Sequence, residues 1–403
     1  MSKSVDRKIV TGIDACTGNE LAVVFSRIIE RVRCVEPCAR GADRVHIAPG
    51  WIDLQVNGFA GADYNSPDTS LEAIAISIQA QFATGVTRFF PTVGTGSTER
   101  ISGSLRNLAR ARSSLPEGIA MEGFHLEGPY ICPEDGPRGA HLRSYVRPPD
   151  IDEFRRFQDA ADGHIRIITL APEWPGAPRF IEQLTQEGVV VSIGHTDAAA
   201  VDIQNAVSAG ASLSTHLGNA TYRLMKRHPN VLWEQLAEDR LMASFIVDGF
   251  HLPVSFLRTA WRAKGSARSI LITDAVPPAG CSPGIYRYGE LDLELHKDGS
   301  TRLAGGTRLA GSALSLSAAI SNVMQFTGLS LCDAVTAATT NAAIAARMAH
   351  RQNGLTQGER ADLVRFTLNS GRLSVHETYI DGRLVYSANT AIAGCNHHST
   401  LQD

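Results

Sequence analysis

VVVSIGH, residues 189–195, is a short apolar, β-branched run that ends on a histidine. MEGFHLE (121–127), SLSTHL (212–217) and SILITDA (269–275) have the same form, with Glu127, His216 and Asp274 at or near their ends. Runs of this kind suit parallel strands that are covered by helices on their outer face. A (β/α)₈ barrel builds its active site at the C-terminal ends of its strands, so polar residues placed there read as functional.

Working outward, four further runs complete a set of eight: WIDLQVN (51–57), VTRFFPT (86–92), IRIITLAPE (165–173) and MASFIVDG (242–249). Between them lie helical stretches that end in glycine, such as TSLEAIAISIQAQFATG, PRFIEQLTQEG and AAAVDIQNAVSAG. The expected fold class is α/β, a TIM-like (β/α)₈ barrel over residues 49–354. Residues 1–48 and 355–390 carry alternating runs (LAVVF, RVHIAP, ADLVRFTL, TYIDGRLVY) and are expected to pair into a small β-sandwich. Residues 286–303 read as a hairpin-like insertion, 312–327 and 330–349 as two helices, and 391–403 as a frayed tail.

Composition narrows the function classes. The chain has 403 residues, 43% of them hydrophobic, and 38 Lys plus Arg against 41 Asp plus Glu. That balance, a formal charge of -3, gives no basis for nucleic acid or an anionic membrane as partner. No apolar stretch is long enough to cross a bilayer, and the start MSKSVDRKIVTG lacks the apolar core of a secretory signal. Seven cysteines without CxxC spacing argue against a disulfide framework, and a reducing cytoplasm is the expected location.

Catalytic zinc takes three protein ligands and keeps a position open for water. Glu127, His195 and His216 supply such a set from the third, fifth and sixth strands. Singly, each histidine is as readily a packed core or surface residue; jointly, at one end of one barrel, they read as ligands. His125 shares the strand face of Glu127 and is expected to support the ligands. Asp274, at the end of SILITD, is the candidate general base and acid, its alternative being a cap on the Asp-Ala-Val-Pro-Pro turn. Cys132 is expected to be incidental, and Val93-Gly94-Thr95-Gly96 to be a tight turn beside the site.

GWIDLQVNG (50–58), HLEGPYI (125–131), RGAH (138–141), GHTDA (194–198), THLGNA (215–220), DGFHL (248–252) and TDAVPPAG (273–280) together resemble the N-acetylglucosamine-6-phosphate deacetylases of the amidohydrolase superfamily. LAGSALSL (309–316) and GLTQGERADLV (354–364) continue the match, which covers nearly the whole chain in order. The resemblance implies an enzyme that cleaves the N-acetyl amide of an amino sugar phosphate, with one divalent metal ion per subunit, Zn²⁺. It implies Glu127, His195 and His216 as ligands, Asp274 as acid/base, and His141 as a group that polarises the acetyl carbonyl. It further implies that Asn219 and Ala220 hold the sugar and that His251 and Arg227 contact the phosphate. In the family part of that grip crosses a homodimer interface.

The pattern departs in two places. Many amidohydrolases carry His-x-His on the first strand, whereas this chain has Asp53-Leu54-Gln55. An amide is a poor zinc ligand, so a single-metal site is favoured, and Gln55 becomes a candidate to support the ligands or hold water and substrate. The family's aromatic before Asn-Ala is replaced by Gly218, which is expected to remove a wall of the sugar pocket. Two alternatives stay open: an amidohydrolase acting on another N-acetylhexosamine or N-acyl compound, and a catalytically inactive sugar-phosphate sensor.

Overall fold

The computed structural model describes residues 7–36 and 44–388; the tail 391–403 lies outside the described residues. Eight parallel strands follow one another around the sheet: Trp51–Val56, Val86–Gly94, Phe124–Glu127, Ile165–Leu170, Val190–Ile193, Leu213–Ser214, Met242–Ile246 and Ser269–Ile272. The circle closes where Val56 bridges Ala275 and the Asp274 N–H donates to the Gln55 carbonyl at 3.0 Å. All eight expected strands are present. Several are shorter than their apolar runs because the backbone turns into the left-handed region at the polar end. His195 has φ 51°, His216 29° and Asp274 50°.

The helices begin where side chains can satisfy their free N–H groups. Ser70 caps Leu71–Phe82 by accepting from the Ala73 N–H, and Asp150 caps Ile151–Ala160 by accepting from Glu153. Their inner faces, with Ile74, Ile78, Phe154 and Phe157, are fully buried against the barrel. The helix expected over 330–349 is instead two, Leu331–Ala337 and Thr340–Ala345. It breaks because the Ala338 carbonyl leaves the helix to accept the Ile52 N–H of the first barrel strand at 2.8 Å.

The two chain ends make one seven-stranded sheet, joined where His46–Pro49 runs antiparallel to Leu363–Phe366. The sheet curls until the Ile29 backbone meets Gly358 and Glu359, each bond 2.8 Å, and so encloses Val23, Phe25, Ile29, Ile47 and Leu363. This is the expected sandwich-like packing, made by one curved sheet. The insertion is a three-stranded antiparallel sheet, Gly284–Tyr288, Leu291–Leu295 and Thr301–Leu303, one strand more than a hairpin.

A buried ion cluster fastens the terminal sheet to the underside of the barrel. Asp362 accepts from Arg88 of the second barrel strand at 2.8 and 3.1 Å and also binds Arg351, and Arg88 reaches Asp381 at 2.8 Å. Burial alone would raise the Asp362 carboxyl; the two guanidiniums outweigh it and hold it at about 2. Removing one partner of such a cluster strands the others in a low-dielectric interior. Asp362→Asn is therefore expected to destabilise the protein by about 3–5 kcal/mol in denaturant titrations at pH 7. Because the folded carboxyl titrates below the unfolded one, the stabilisation is complete above pH of about 4. It is lost, on the order of 2 kcal/mol, as pH falls toward 2. An unchanged midpoint in the variant would contradict the fastening role.

Candidate active site

The four strand-end residues meet at the mouth of the barrel. His195 Nε2 and His216 Nε2 lie 3.2 and 3.0 Å from the same oxygen, Glu127 Oε1. The imidazole planes of His195 and His216 stand edge to face, with centroids 4.9 Å apart. His141 packs on the other side of His195 at 4.4 Å, its Nε2 4.0 Å from Glu127 Oε2. Donor atoms of Glu127, His141 and His195 all fall within 4.8 Å of one another. The left-handed turns make this convergence possible, since each swings a side chain off the barrel wall and into the mouth. Such backbone costs roughly 1 kcal/mol or more per non-glycine residue and persists only where the surroundings enforce it.

The donor set fits a divalent cation. His195 Nδ1 sits 2.9 Å from the Pro137 carbonyl, which fixes a proton on Nδ1 and makes Nε2 the nitrogen that faces Glu127. A proton on Nε2 bonds it to the carboxylate, and a cation between the two would take that proton's place. Two imidazoles and one carboxylate are a common catalytic zinc set. His125 does not join it, because Leu54 O at 3.0 Å and Thr169 Oγ1 at 2.7 Å engage both ring nitrogens.

Of the roles expected of Gln55, the geometry favours that of a brace, since it does not line the cavity. It is 1% exposed, and its amide nitrogen donates to Glu127 Oε1 at 2.8 Å and to Asp274 Oδ1 at 3.1 Å. A single neutral NH₂ thus separates two carboxylates that would otherwise repel. Asn57, two residues along and on the same strand face, donates to Asp274 Oδ1 at 2.7 Å. Burial pushes the Asp274 carboxyl up to about 8, the charge of Glu127 acts in the same direction, and His216 and Asn57 oppose them. Burial also raises Glu127, but hydrogen bonds from His195 and His216 prevail and hold it well below the usual carboxylate range. His141 is lowered to about 3 by burial and by His195, so it is neutral.

Above these residues opens a cavity of about 620 Å³, lined by the site and by Asn219, Ala220 and His251. The Asn219 amide donates to the His216 carbonyl at 3.0 Å, Ala220 takes φ 48°, and His251 Nδ1 pairs with Asp248 at 2.7 Å. Arg227 does not join them: it is exposed and does not line the cavity of its own chain. Arg223 and Arg308 do line it. Gly218 does not open a wall. A Cβ there would lie 2.5 Å from Phe256 and 2.7 Å from Leu252, which already fill that space. Cys132 is buried, which pushes its thiol up to about 11, so it is unreactive near neutrality.

Sequence reasoning passed over Asn57, Arg223, Tyr288 and Arg308, which line the cavity. The spacing from Gln55 could have found Asn57. Nothing local marks Tyr288, which the insertion delivers to the mouth, where its hydroxyl donates to Asn57 Oδ1 at 3.0 Å.

Comparison with known proteins agrees with this geometry. The amidohydrolase family model matches residues 46–385. The N-acetylglucosamine-6-phosphate deacetylase of Bacillus subtilis (strain 168) is 35% identical over 326 residues, covering 80% of this chain and 81% of that protein. The human deacetylase of the same name is 34% identical over 356 residues, covering 86% and 84%. The Mycobacterium smegmatis deacetylase, solved as a mutant in complex with N-acetyl-D-glucosamine-6-phosphate, superposes with a TM-score of 0.84 at 30% identity. It covers 95% of this chain and 100% of its own. The family match spans most of the chain and its relatives share the barrel, and the chain belongs to the amidohydrolase family.

Proposed function

We propose that this protein hydrolyses N-acetylglucosamine 6-phosphate to glucosamine 6-phosphate and acetate. The observation that carries the reading is the meeting of Glu127, His195, His216 and Asp274 on one cavity floor, within a chain whose relatives bear that activity by name. Glu127, His195 and His216 would hold one divalent cation per subunit, Zn²⁺ by the chemistry of the set. When bound, such an ion supplies Lewis-acid polarisation and makes water more acidic.

The remaining work falls to the chain's own groups. Asp274, braced through Oδ1, takes the proton of the attacking water and returns it to the departing nitrogen. Neutral His141 donates an N–H to the acetyl oxygen as negative charge grows there. Asn219 and Ala220 line the sugar's place, and His251 the phosphate end. The rim carries cations suited to a phosphate: Arg223 and Arg308 have no carboxylate within ion-pair distance among the described residues. Because Arg227 lies off its own cavity, its phosphate role requires a homodimer in which it reaches the partner subunit's cavity. We keep 1–48 with 355–390, and 49–354, as the two domains, and a cytoplasmic location.

Asp274→Asn is expected to lower kcat by about 10²–10⁴-fold while purified protein keeps its metal, measured by acetate release and elemental analysis. A wild-type rate would remove Asp274 from the reaction. Chelation is expected to abolish turnover and one equivalent of Zn²⁺ per subunit to restore it; full activity in metal-free protein would refute the ligand assignment. In a panel of glucosamine, galactosamine and mannosamine N-acetyl derivatives, the 6-phosphates should be preferred. Equal kcat/KM with and without phosphate would exclude the arginine rim from recognition.

A further inference from the structure

We infer that Tyr288 is a positioning residue of the reaction, acting through Asn57 on the carboxylate of Asp274. Among the described residues, the two side-chain donors to Asp274, Asn57 Nδ2 at 2.7 Å and Gln55 Nε2 at 3.1 Å, reach the same oxygen, Oδ1. Oδ2 is the oxygen left for the transferred proton. This division holds only while each amide points its nitrogen at Oδ1. Gln55 is oriented by its second bond, to Glu127. Among the described residues Asn57 donates to no carboxylate besides Asp274, and its oxygen is instead engaged by the Tyr288 hydroxyl at 3.0 Å. An amide is nearly symmetric in shape, so its hydrogen-bond partners select its orientation. With Asn57 turned over, its oxygen would face Oδ1, and the pair would be tolerable only with a proton trapped between them, away from the substrate.

Tyr288 is itself held in place from outside the barrel. The Gly289 N–H donates to Asp63 at 2.6 Å, and Glu290 accepts from the Tyr145 hydroxyl at 2.9 Å. The last residue of the insertion's first strand is thereby pinned at the mouth, and the insertion becomes part of the catalytic apparatus.

The inference rests on Asp274 acting as proposed above. Tyr288→Phe is expected to lower kcat about tenfold, with KM changed less than about threefold and with metal content and melting temperature close to wild type. In an Asn57→Ala background the same substitution should have little further effect, because the path through Asn57 is already cut. A rise in KM with kcat retained would mean that Tyr288 binds substrate directly, and it would overturn the inference. So would additive losses in the double variant, or a kcat within twofold of wild type. Should Asp274→Asn keep the wild-type rate, the acid/base reading fails. Should it be inactive while Tyr288→Phe is unaffected, only this inference fails.

Discussion

Closure of the barrel between its first and eighth strands is the constraint on which the site depends. The Asp274 N–H bonds to the Gln55 carbonyl, and the Val56–Ala275 bridge continues the seam. Gln55 and Asp274 are 219 residues apart in the chain, yet closure places the amide of one against the carboxylate of the other. The same seam carries Asp53, which accepts from the Thr273 hydroxyl at 2.6 Å in full burial. An open sheet with the same strands would leave Asp274 at an edge, far from Glu127 on the third strand.

The floor of the site concentrates acids that water would otherwise solvate. Glu127, Asp274 and Asp53 are each less than one-tenth exposed, and burial raises the proton affinity of all three. They separate because their partners differ. Two imidazoles keep Glu127 ionised, whereas neutral amides leave Asp274 poised to gain and lose a proton. Neighbouring carboxylates with unlike environments are a recurrent way to divide binding from proton transfer.

Much of this was legible in the residues. Apolar runs ending in Glu127, His195, His216 and Asp274 located the strands and the rim together, because strand period and barrel polarity are local rules. The left-handed turn at His216 shortened its strand to two residues, which no propensity signals. Gly218 was misread because Phe256 and Leu252, which require it, come from later in the chain. The split at Ala338 has a similar cause, a bond to Ile52 across the molecule. Tyr288 escaped notice because an insertion of unremarkable composition carries it.

The terminal sheet has a consequence for biosynthesis. Ile47 pairs with Arg365, so the strand that opens into the barrel waits for nearly the whole polypeptide to be made. Until the last strands leave the ribosome, His46–Pro49 has an unpaired edge, and such edges invite association with other chains. The order of emergence therefore makes barrel formation the earlier event and stitching of the two ends the last, a topology rich in distant contacts and slow to complete.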